Sequence, residues 1–258
     1  MTWGGWFSAQ KLPFDWGTVL TELTSAGFDA FEAGGTEKDL GPAKVFAKRA
    51  ADAGQTIVAW SAGVTANYWP PNTEDYRREL TYAAELGLRT VAVCGGFLPE
   101  QRRTTSEGDY RQFADNLGQA MDFGRTLGLT LAFHPHRGCI VETNAEVDRL
   151  LRYLPELQLC VDTGHLISVD SDPVTLIETH PTRIAHVHLK DWSVSTRAFT
   201  EIGAGNAGLD FMQILLALRK AHYVGALVIE RDAPPMPAKE SARISRESLM
   251  KSLSAITP

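Results

Sequence analysis

Five ionisable residues each end a short run of apolar or β-branched residues, and all five are of types that bind divalent cations. They are Glu32, His134, Asp162, His188 and Glu230. Two carboxylates and an imidazole that converge on one point can hold Mn²⁺, Mg²⁺, Co²⁺ or Zn²⁺. A single Asp or His in such a position is more often a capping or hydrogen-bonded structural residue. The prediction of a metal site therefore depends on the recurrence of the pattern on separate segments.

A second set of reactive side chains follows these segments within a few residues. It comprises His136, Glu142, His165, Lys190 and Asp191. An imidazole, with an unperturbed pKa of about 6.5, can act as general acid or general base near neutral pH. A lysine can stabilise a developing oxyanion. Lys190 and Asp191 could equally form an ion pair with each other at the end of their strand.

The elements that must position these residues follow a repeating pattern, in which a helical stretch ends at Gly or Pro and a short strand begins soon afterwards. The pattern predicts strands over residues 28–32, 55–60, 88–94, 129–134, 157–162, 183–190 and 226–230, with a weaker opening strand over 2–6. Helices are predicted over 15–26, 42–53, 73–86, 108–127, 144–153, 172–180, 210–222 and 239–253. This alternation predicts a parallel sheet covered by helices.

The length of 258 residues fits a single (β/α)₈ barrel, for which about 250 residues are typical. Since no linker divides the chain, we expect an α/β fold of the TIM-barrel type in one domain, residues 1–258. In the strand 129–134 the bulky Leu129, Leu131 and Phe133 share the face assigned to the helices. His134 ends the opposite face of small residues, at the carboxyl edge where the active sites of barrels lie.

Composition excludes several classes of function. With 25 basic and 31 acidic residues the net charge is −6, which argues against a nucleic-acid or anionic-membrane partner. Three cysteines without a C-x-x-C pair indicate neither a disulfide framework nor a thiolate zinc site, and a reducing cytoplasm fits best. The sequence also shows neither a secretory signal nor an apolar run of about 18 residues, so we expect no export and no membrane anchoring.

Three segments carry a family resemblance. Val161-Asp162-Thr163-Gly164-His165 and His186-Val187-His188-Leu189-Lys190-Asp191 resemble the xylose-isomerase-like TIM barrels of the sugar isomerase, epimerase and dehydratase superfamily, most closely the inosose (2-keto-myo-inositol) dehydratases. The stretch Phe133-His134-Pro135-His136-Arg137-Gly138 is similar to the His-x-His-x-Gly segment of the same dehydratases. Gly203-x-Gly205 and the strand that ends in Glu230 extend the resemblance over essentially the whole chain.

The resemblance implies that Asp162, His188 and Glu230 are metal ligands and that His165 contacts the substrate. In the isomerases and epimerases the fourth ligand is a Glu at the end of the strand that here ends in His134. Either His134 takes this place, or Glu142 from the following loop does. We favour Glu142 at this point, because a hard cation prefers a third carboxylate.

The implied activity is a divalent-metal-dependent dehydration of an inosose or a related cyclic keto-polyol, with Mn²⁺ as the expected ion and Co²⁺, Mg²⁺ or Zn²⁺ as alternatives. His134, His136, His165 and Lys190 are the candidate catalytic residues, and Glu32, Trp60 and Arg231 are the candidate substrate-binding residues. A metal-dependent keto-sugar isomerase or epimerase and a non-catalytic sugar-binding barrel are the two alternatives. The expected partner is a small keto-polyol or keto-sugar, and homo-oligomer formation stays open.

One motif points to a different cofactor. Residues 203–208 match the dinucleotide fingerprint G-x-G-x-x-G, with Glu230 about 20 residues further on. The preceding residues 193–200 are polar rather than a buried strand, and the chain after the motif is too short for a dinucleotide-binding half. We therefore expect no NAD site.

Overall fold

The computed structural model of the protein describes residues 2–65, 73–98 and 105–256. Seven parallel strands form one sheet, in the order β1-β2-β3-β4-β5-β6-β9. These strands are β1 (Ala30–Gly34), β2 (Thr56–Thr65), β3 (Thr90–Gly95), β4 (Thr130–Phe133), β5 (Gln158–Asp162), β6 (Ile184–Leu189) and β9 (Leu227–Ile229). The two remaining strands, β7 (Asp191–Ser193) and β8 (Ala198–Thr200), form an antiparallel hairpin after β6. The sheet is a nearly closed TIM barrel, as the sequence predicts.

Helices fill the connections between the strands and cover the outside of the sheet. They are α1 (Thr2–Ala9), α2 (Trp16–Ser25), α3 (Glu37–Leu40), α4 (Ala43–Asp52), α5 (Thr73–Glu85), α6 (Glu107–Thr126), α7 (Asn144–Tyr153), α8 (Thr163–Ile167), α9 (Pro173–Thr179), α10 (Phe211–Lys220) and α11 (Ala238–Ile256). None of these helices, within the described residues, combines the length and apolar character needed to cross a membrane.

The prediction of an opening strand over residues 2–6 is wrong, because this segment belongs to helix α1. Trp3, Trp6 and Phe7 follow the three- and four-residue spacing of one helix face and pack against the hydrophobic core. In the described part of the chain, β1 and β9 are consequently the two free edges of the seven-stranded sheet.

Helix starts agree with their sequence signals. Thr143 forms a capping box with Glu146, and the Asp172 side chain accepts hydrogen bonds from two backbone N–H groups ahead of a helix that begins at Pro173. These caps fix the residue at which each helix begins. They therefore also fix the direction in which the chain runs from the end of the preceding strand.

The predicted division of the strands into a bulky and a small face is confirmed. Phe133 of β4 packs against Phe113 of α6 on the outside of the sheet. On the inner face, Ala92, Ala132 and Cys160 from three adjacent strands form a separate small cluster. Small inner residues leave room at the carboxyl edge of the barrel for the longer ionisable side chains that end these strands.

The glycine motif at residues 203–208 has a structural role. The Asp191 carboxylate accepts hydrogen bonds from the backbone N–H groups of Gly203 (2.9 Å), Gly205 (3.1 Å) and Trp192 (2.7 Å). A Cβ atom on Gly205 would lie 2.0 Å from Oδ1 of Asp191, so a side chain does not fit there. The motif thus fastens a loop to the β7–β8 hairpin, and Asp191 serves the loop rather than pairing with Lys190.

Candidate metal and catalytic site

Four strand ends bring two histidines and two carboxylates together. His134 directly follows β4, Asp162 ends β5, His188 lies near the end of β6 and Glu230 directly follows β9. Nε2 of His134 lies 3.3 Å from Oδ2 of Asp162, and Nδ1 of His188 lies 3.0 Å from Oε2 of Glu230 and 3.8 Å from Oδ2 of Asp162. All four side chains are buried. Register explains the meeting, because Asp162 pairs directly with His188 in the sheet.

The same four atoms lack hydrogen-bond partners. Although they approach one another closely, none of these atoms is oriented to form a hydrogen bond with any group in the described residues. Buried polar atoms are nearly always hydrogen-bonded, and here the two carboxylate oxygens have, apart from the histidine contacts above, only the ion pairs with the Lys190 ammonium, at 3.3 Å and 3.5 Å. Two imidazole nitrogens and two carboxylate oxygens are a donor set that fits a divalent ion such as Mn²⁺, Co²⁺ or Zn²⁺.

Glu32 orients one of these donors. Its Oε2 atom lies 2.5 Å from Nε2 of His186 and 3.0 Å from Nε2 of His188. Burial alone would raise the pKa of Glu32, but the two imidazoles outweigh it and hold the pKa well below its usual range. A carboxylate at Nε2 fixes the His188 ring and leaves Nδ1 directed at Asp162 and Glu230. The carboxylate of Glu32, a candidate substrate-binding residue, is thus in contact with two histidines in this structure.

Lys190 is buried among carboxylates. Its Nζ lies 3.3 Å from Glu230 Oε2, 3.5 Å from Asp162 Oδ2 and 3.3 Å from Asp232 Oδ2. Burial lowers the pKa of Lys190, but the three carboxylates outweigh this and raise it above its ordinary value. Lys190 therefore stays charged throughout the physiological range. Removal of its side chain would leave buried negative charge without compensation.

Two further histidines stack at the same mouth. The rings of His136 and His165 lie 3.7 Å apart between centroids and 36° from parallel. Burial, together with Lys190, lowers the pKa of His165 to about 2, so this imidazole stays neutral, and its Nε2 accepts a hydrogen bond from Lys190 (3.1 Å). Nδ1 of His136 lies 2.8 Å from the carbonyl oxygen of Arg137. Because a carbonyl only accepts, Nδ1 carries the proton, and neutral His136 presents an unprotonated Nε2.

Sequence reasoning missed the residues that join the ends of β5 and β6. The Thr163 hydroxyl donates to the backbone carbonyl of Lys190 (2.6 Å) and accepts from the backbone N–H of Lys190 (2.9 Å). A Cβ on Gly164 would lie 2.6 Å from Cγ of Lys190, so glycine leaves the space in which the lysine stem runs. The Asp-Thr-Gly-His stretch was the available signal, and each of its middle residues serves to place Lys190.

Aromatic residues from the β7–β8 hairpin were also missed. The Phe199 ring contacts the His165 ring at 4.8 Å and lies 4.7 Å from the Lys190 ammonium. Trp192 packs against Phe199 and carries the Arg137 guanidinium on its face at 4.9 Å. The hairpin thus covers the lysine and the stacked histidines. Polar residues dominate the sequence here, and only the fold reveals that the hairpin turns back over the site.

Three other candidate residues lie outside this arrangement. Trp60 is fully buried against Tyr82 of α5, because strand alternation turns it away from the barrel interior. The Arg231 guanidinium pairs with the buried Glu201 at 3.3 Å. Oε2 of Glu142 accepts a hydrogen bond from the backbone N–H of Gly138 (2.8 Å), and Glu142 does not belong to the cluster of orphaned donors. The geometry therefore favours His134 over Glu142 as the fourth donor.

The fold agrees with the comparison to known proteins. Residues 20–251 match the family described as xylose isomerase-like TIM barrel. The protein belongs to this family, as the sequence resemblance indicates.

The individual relatives share only a low sequence identity with this chain. An inosose dehydratase of Geobacillus thermodenitrificans (strain NG80-2) is 27% identical over 247 residues, covering 84% of this chain and 82% of that protein. Among solved structures, an L-ribulose 3-epimerase matches with a TM-score of 0.76 at 21% identity, covering 93% of this chain and 90% of the other. The IOLI protein with a binding zinc atom matches with a TM-score of 0.73 at 14% identity, covering 95% of each chain. The chain is an enzyme of the dehydratase or isomerase kind.

Proposed function

We propose that the protein is a divalent-metal-dependent lyase that dehydrates an inosose or a related cyclic keto-polyol. The observation that carries the proposal is the convergence of four buried donor atoms without hydrogen-bond partners beside a permanently charged lysine and a histidine with a free Nε2. Dehydration next to a ketone requires these three elements, namely an electrophile for the ketone oxygen, a positive charge near the developing oxyanion and a base.

His134, Asp162, His188 and Glu230 would hold the ion, and Glu32 would keep His188 in its ligating orientation. When bound, the ion polarises the ketone and stabilises the enolate that forms when the neighbouring proton is removed. We expect Mn²⁺, with Co²⁺, Zn²⁺ and Mg²⁺ as alternatives. The structure of the IOLI protein, which has a similar fold, is described with a binding zinc atom, and this supports metal binding by a barrel of this kind.

His136 is the base in this proposal. Its Nδ1–H is fixed on the carbonyl of Arg137, and no described residue hydrogen-bonds to its Nε2. Nε2 therefore accepts the proton from the carbon next to the ketone. The resulting imidazolium then donates the same proton to the β-hydroxyl as the carbon–oxygen bond breaks, so water leaves and His136 returns to its neutral state.

Lys190 and His165 stabilise the negative charge that develops on the substrate's ketone oxygen when His136 removes the proton. The Lys190 ammonium remains protonated and is held between carboxylates, so it presents a fixed positive charge to the oxyanion without itself losing a proton. His165 stays neutral, accepts a hydrogen bond from Lys190 and thereby fixes the position of the ammonium group. The substrate's hydroxyl groups would lie under the hairpin residues Phe199 and Trp192.

The identity of the residue after β4 supports dehydration over epimerisation. An epimerase that moves a proton between two faces of a carbon needs a base on each face, for which keto-sugar epimerases typically use paired carboxylates. Here His134 occupies the strand end, and the nearby Glu142 is held by Gly138. One base with a free nitrogen suffices for elimination, because it can return the proton it removes.

Incubation of the metal-loaded protein with 2-keto-myo-inositol in D₂O tests the proposal. Dehydration gives a product lighter by one water molecule, and the matched variant His136→Gln should lose this activity while keeping its metal content. Deuterium uptake at unchanged composition would instead identify an isomerase or epimerase. Absence of both reactions across a panel of keto-polyols, with the metal bound, would overturn the proposal.

A further inference from the structure

A guanidinium at the mouth of the barrel has no anionic partner. Arg137 follows His136 in the loop after β4, and its side chain is half-buried. Its guanidinium carbon lies 4.9 Å from the centre of the Trp192 ring, and the group forms no ion pair or hydrogen bond with residues 2–65, 73–98 or 105–256. Stacking on an aromatic face holds a guanidinium in place while its N–H donors stay available.

The other two cations near the site differ in this respect. Lys190 is surrounded by three carboxylates, and Arg231 pairs with the buried Glu201. The protein itself thus balances both of these positive charges. Glu142 lies on the same loop as Arg137, but its carboxylate accepts a hydrogen bond from a backbone N–H of that loop. The positive charge of Arg137 is therefore left for a ligand.

The backbone of Arg137 lies beside the two stacked histidines. Its carbonyl oxygen accepts a hydrogen bond from Nδ1 of His136 (2.8 Å), and its backbone nitrogen lies 3.4 Å from Nδ1 of His165. The side chain of Arg137 therefore starts directly next to the proposed base. A six-membered ring that binds at His136 can direct one of its substituents towards the guanidinium.

The aromatic ring that carries the guanidinium is itself held by the protein. Trp192 is buried, and its ring packs edge-on against Phe199 at 5.0 Å. Its backbone N–H donates to Asp191 (2.7 Å), the residue that fastens the β7–β8 hairpin to the glycine loop. The position of the guanidinium is thus set before a ligand binds, which reduces the entropy that binding must offset.

The shape and charge of a guanidinium determine which group it binds. Its N–H donors form a planar fork that matches the two oxygens of a carboxylate or of a phosphate. A phosphate ester carries between one and two negative charges near neutral pH and is commonly bound by clusters of arginines. Here Lys190 is already balanced by carboxylates, so one guanidinium remains. A single positive charge matches the single negative charge of a carboxylate.

We propose that Arg137, supported by Trp192, is a subsite for a carboxylate, and that the substrate is a cyclic keto-polyol with this group on its ring. The inference rests on the proposed function, because it specifies the substrate of the same site. The carboxylate is held by Arg137 while the ketone lies at the ion. Two points of attachment fix the orientation of the ring, and hence which of its protons faces Nε2 of His136.

Binding of analogues that cannot react tests the subsite without turnover. The probes are quinate, a cyclohexane polyol with one carboxylate, and its methyl ester, which has the same ring without the charge. Isothermal titration of the metal-loaded protein should show that quinate binds about 10–100-fold more tightly than the ester, as expected for a charge-assisted pair. The preference should decrease as salt is added, because the pair lies at a solvent-accessible mouth.

Three variants identify the residue responsible. In Arg137→Gln the preference for quinate should disappear while the affinity for the ester is unchanged. Arg137→Lys should retain part of the preference, since it keeps the charge without the planar fork. Arg152→Gln, which changes an exposed arginine in the last turn of α7, is the matched control and should keep the full preference.

Several results would overturn the proposal. The parent protein could bind both probes equally, or Arg137→Gln could weaken both equally, as a purely structural role would require. A preference for quinate that persists in Arg137→Gln would assign the carboxylate to the ion or to Lys190. A larger gain from myo-inositol to its monophosphate than from the ester to quinate would assign the subsite to phosphate.

Failure of the proposed function is measured separately, by turnover of keto-polyols. A protein that binds quinate through Arg137 but dehydrates no keto-polyol would keep the carboxylate subsite and lose the lyase activity. A protein that dehydrates neutral inososes and shows no preference for quinate would keep the activity and lose the subsite.

Discussion

The ammonium nitrogen of Lys190 lies 3.1 Å from Nε2 of His165, and both side chains are buried next to the Asp162 carboxylate. The contact joins Lys190 to the segment Asp162–His165. Two other residues of this segment also position Lys190: Thr163 accepts a hydrogen bond from its backbone N–H, and Gly164 leaves space for its side chain. One side chain thereby balances the negative charge of the donor cluster and faces the stacked histidines.

Replacement of this lysine should impair both activity and folding. In Lys190→Met the positive charge near the developing oxyanion is lost, so we expect kcat to fall about 10²–10³-fold. The metal-free variant should also lose about 3–5 kcal/mol of unfolding free energy, because Asp162 and Glu230 keep buried charge without a partner. Steady-state kinetics and urea unfolding measure the two effects.

The loss of stability in Lys190→Met should be smaller when a divalent ion is bound, since the ion compensates the same carboxylates. Lys251→Met, which removes an exposed lysine on α11, is the control and should leave kcat and stability nearly unchanged. Full activity of Lys190→Met would contradict its place in the mechanism.

The identity of the fourth donor can be decided with two variants. His134→Ala removes Nε2 from the orphaned cluster, and we expect the affinity for Mn²⁺ or Zn²⁺ to fall by more than about 100-fold, beyond the effect of an outer partner. Glu142→Gln should retain the affinity, because the amide oxygen can still accept from the backbone of Gly138. Isothermal titration with the metal alone measures both. The reverse order of effects would assign the site to Glu142.

The support that Glu32 gives to His188 leads to a third prediction. Glu32→Gln leaves only one carbonyl oxygen to accept from the two imidazoles, so the His188 ring is no longer fixed with Nδ1 towards Asp162 and Glu230. Metal affinity should fall about 10–100-fold. Competition with a chelator measures the change.

Glu79→Gln makes the same chemical change on α5, at a residue that does not contact the donor cluster, and should leave metal affinity unaffected. An unchanged affinity in Glu32→Gln would show that His188 is positioned by packing alone.

Most of the fold could be predicted because it depends on local signals. Gly and Pro stops, caps and alternation placed the seven strands of the barrel. The segment 2–6 failed because two tryptophans and glycines in a short stretch fit either a strand or a helix, and packing of Trp3, Trp6 and Phe7 on the core decides for the helix. Whether this segment forms a strand or a helix depends on tertiary contacts, which a short stretch of sequence does not show.

The convergence of the strand-end side chains was predictable for the same reason, whereas their roles stay a prediction. Positions at strand ends predict that Asp162, His188 and Glu230 lie close together, because parallel strands end at one edge. The structure adds what each side chain contacts: Glu32 supports His188, and Glu142 is held by Gly138. These partners come from segments far apart in sequence, so residue type and spacing alone did not define their roles.

A buried carboxyl group outside the site makes stability depend on pH. Burial raises the pKa of Glu79 from 4.5 to about 7, with its carboxylate accepting from the backbone N–H of Gly63 and facing Asp75 and Asp39. The folded state therefore binds this proton more tightly than the unfolded state, and the stability it contributes is complete below pH 4.5 and is lost as the pH rises through about 7.

In Glu79→Gln the neutral amide keeps an acceptor for Gly63 at every pH. We expect the variant to match the parent protein near pH 4.5 and to be more stable by about 1 kcal/mol above pH 7, a value reduced from that of full burial because the side chain is partly exposed. Urea unfolding of both proteins across this range measures the difference, and parallel stability curves would show that Glu79 is ionised in the folded state throughout.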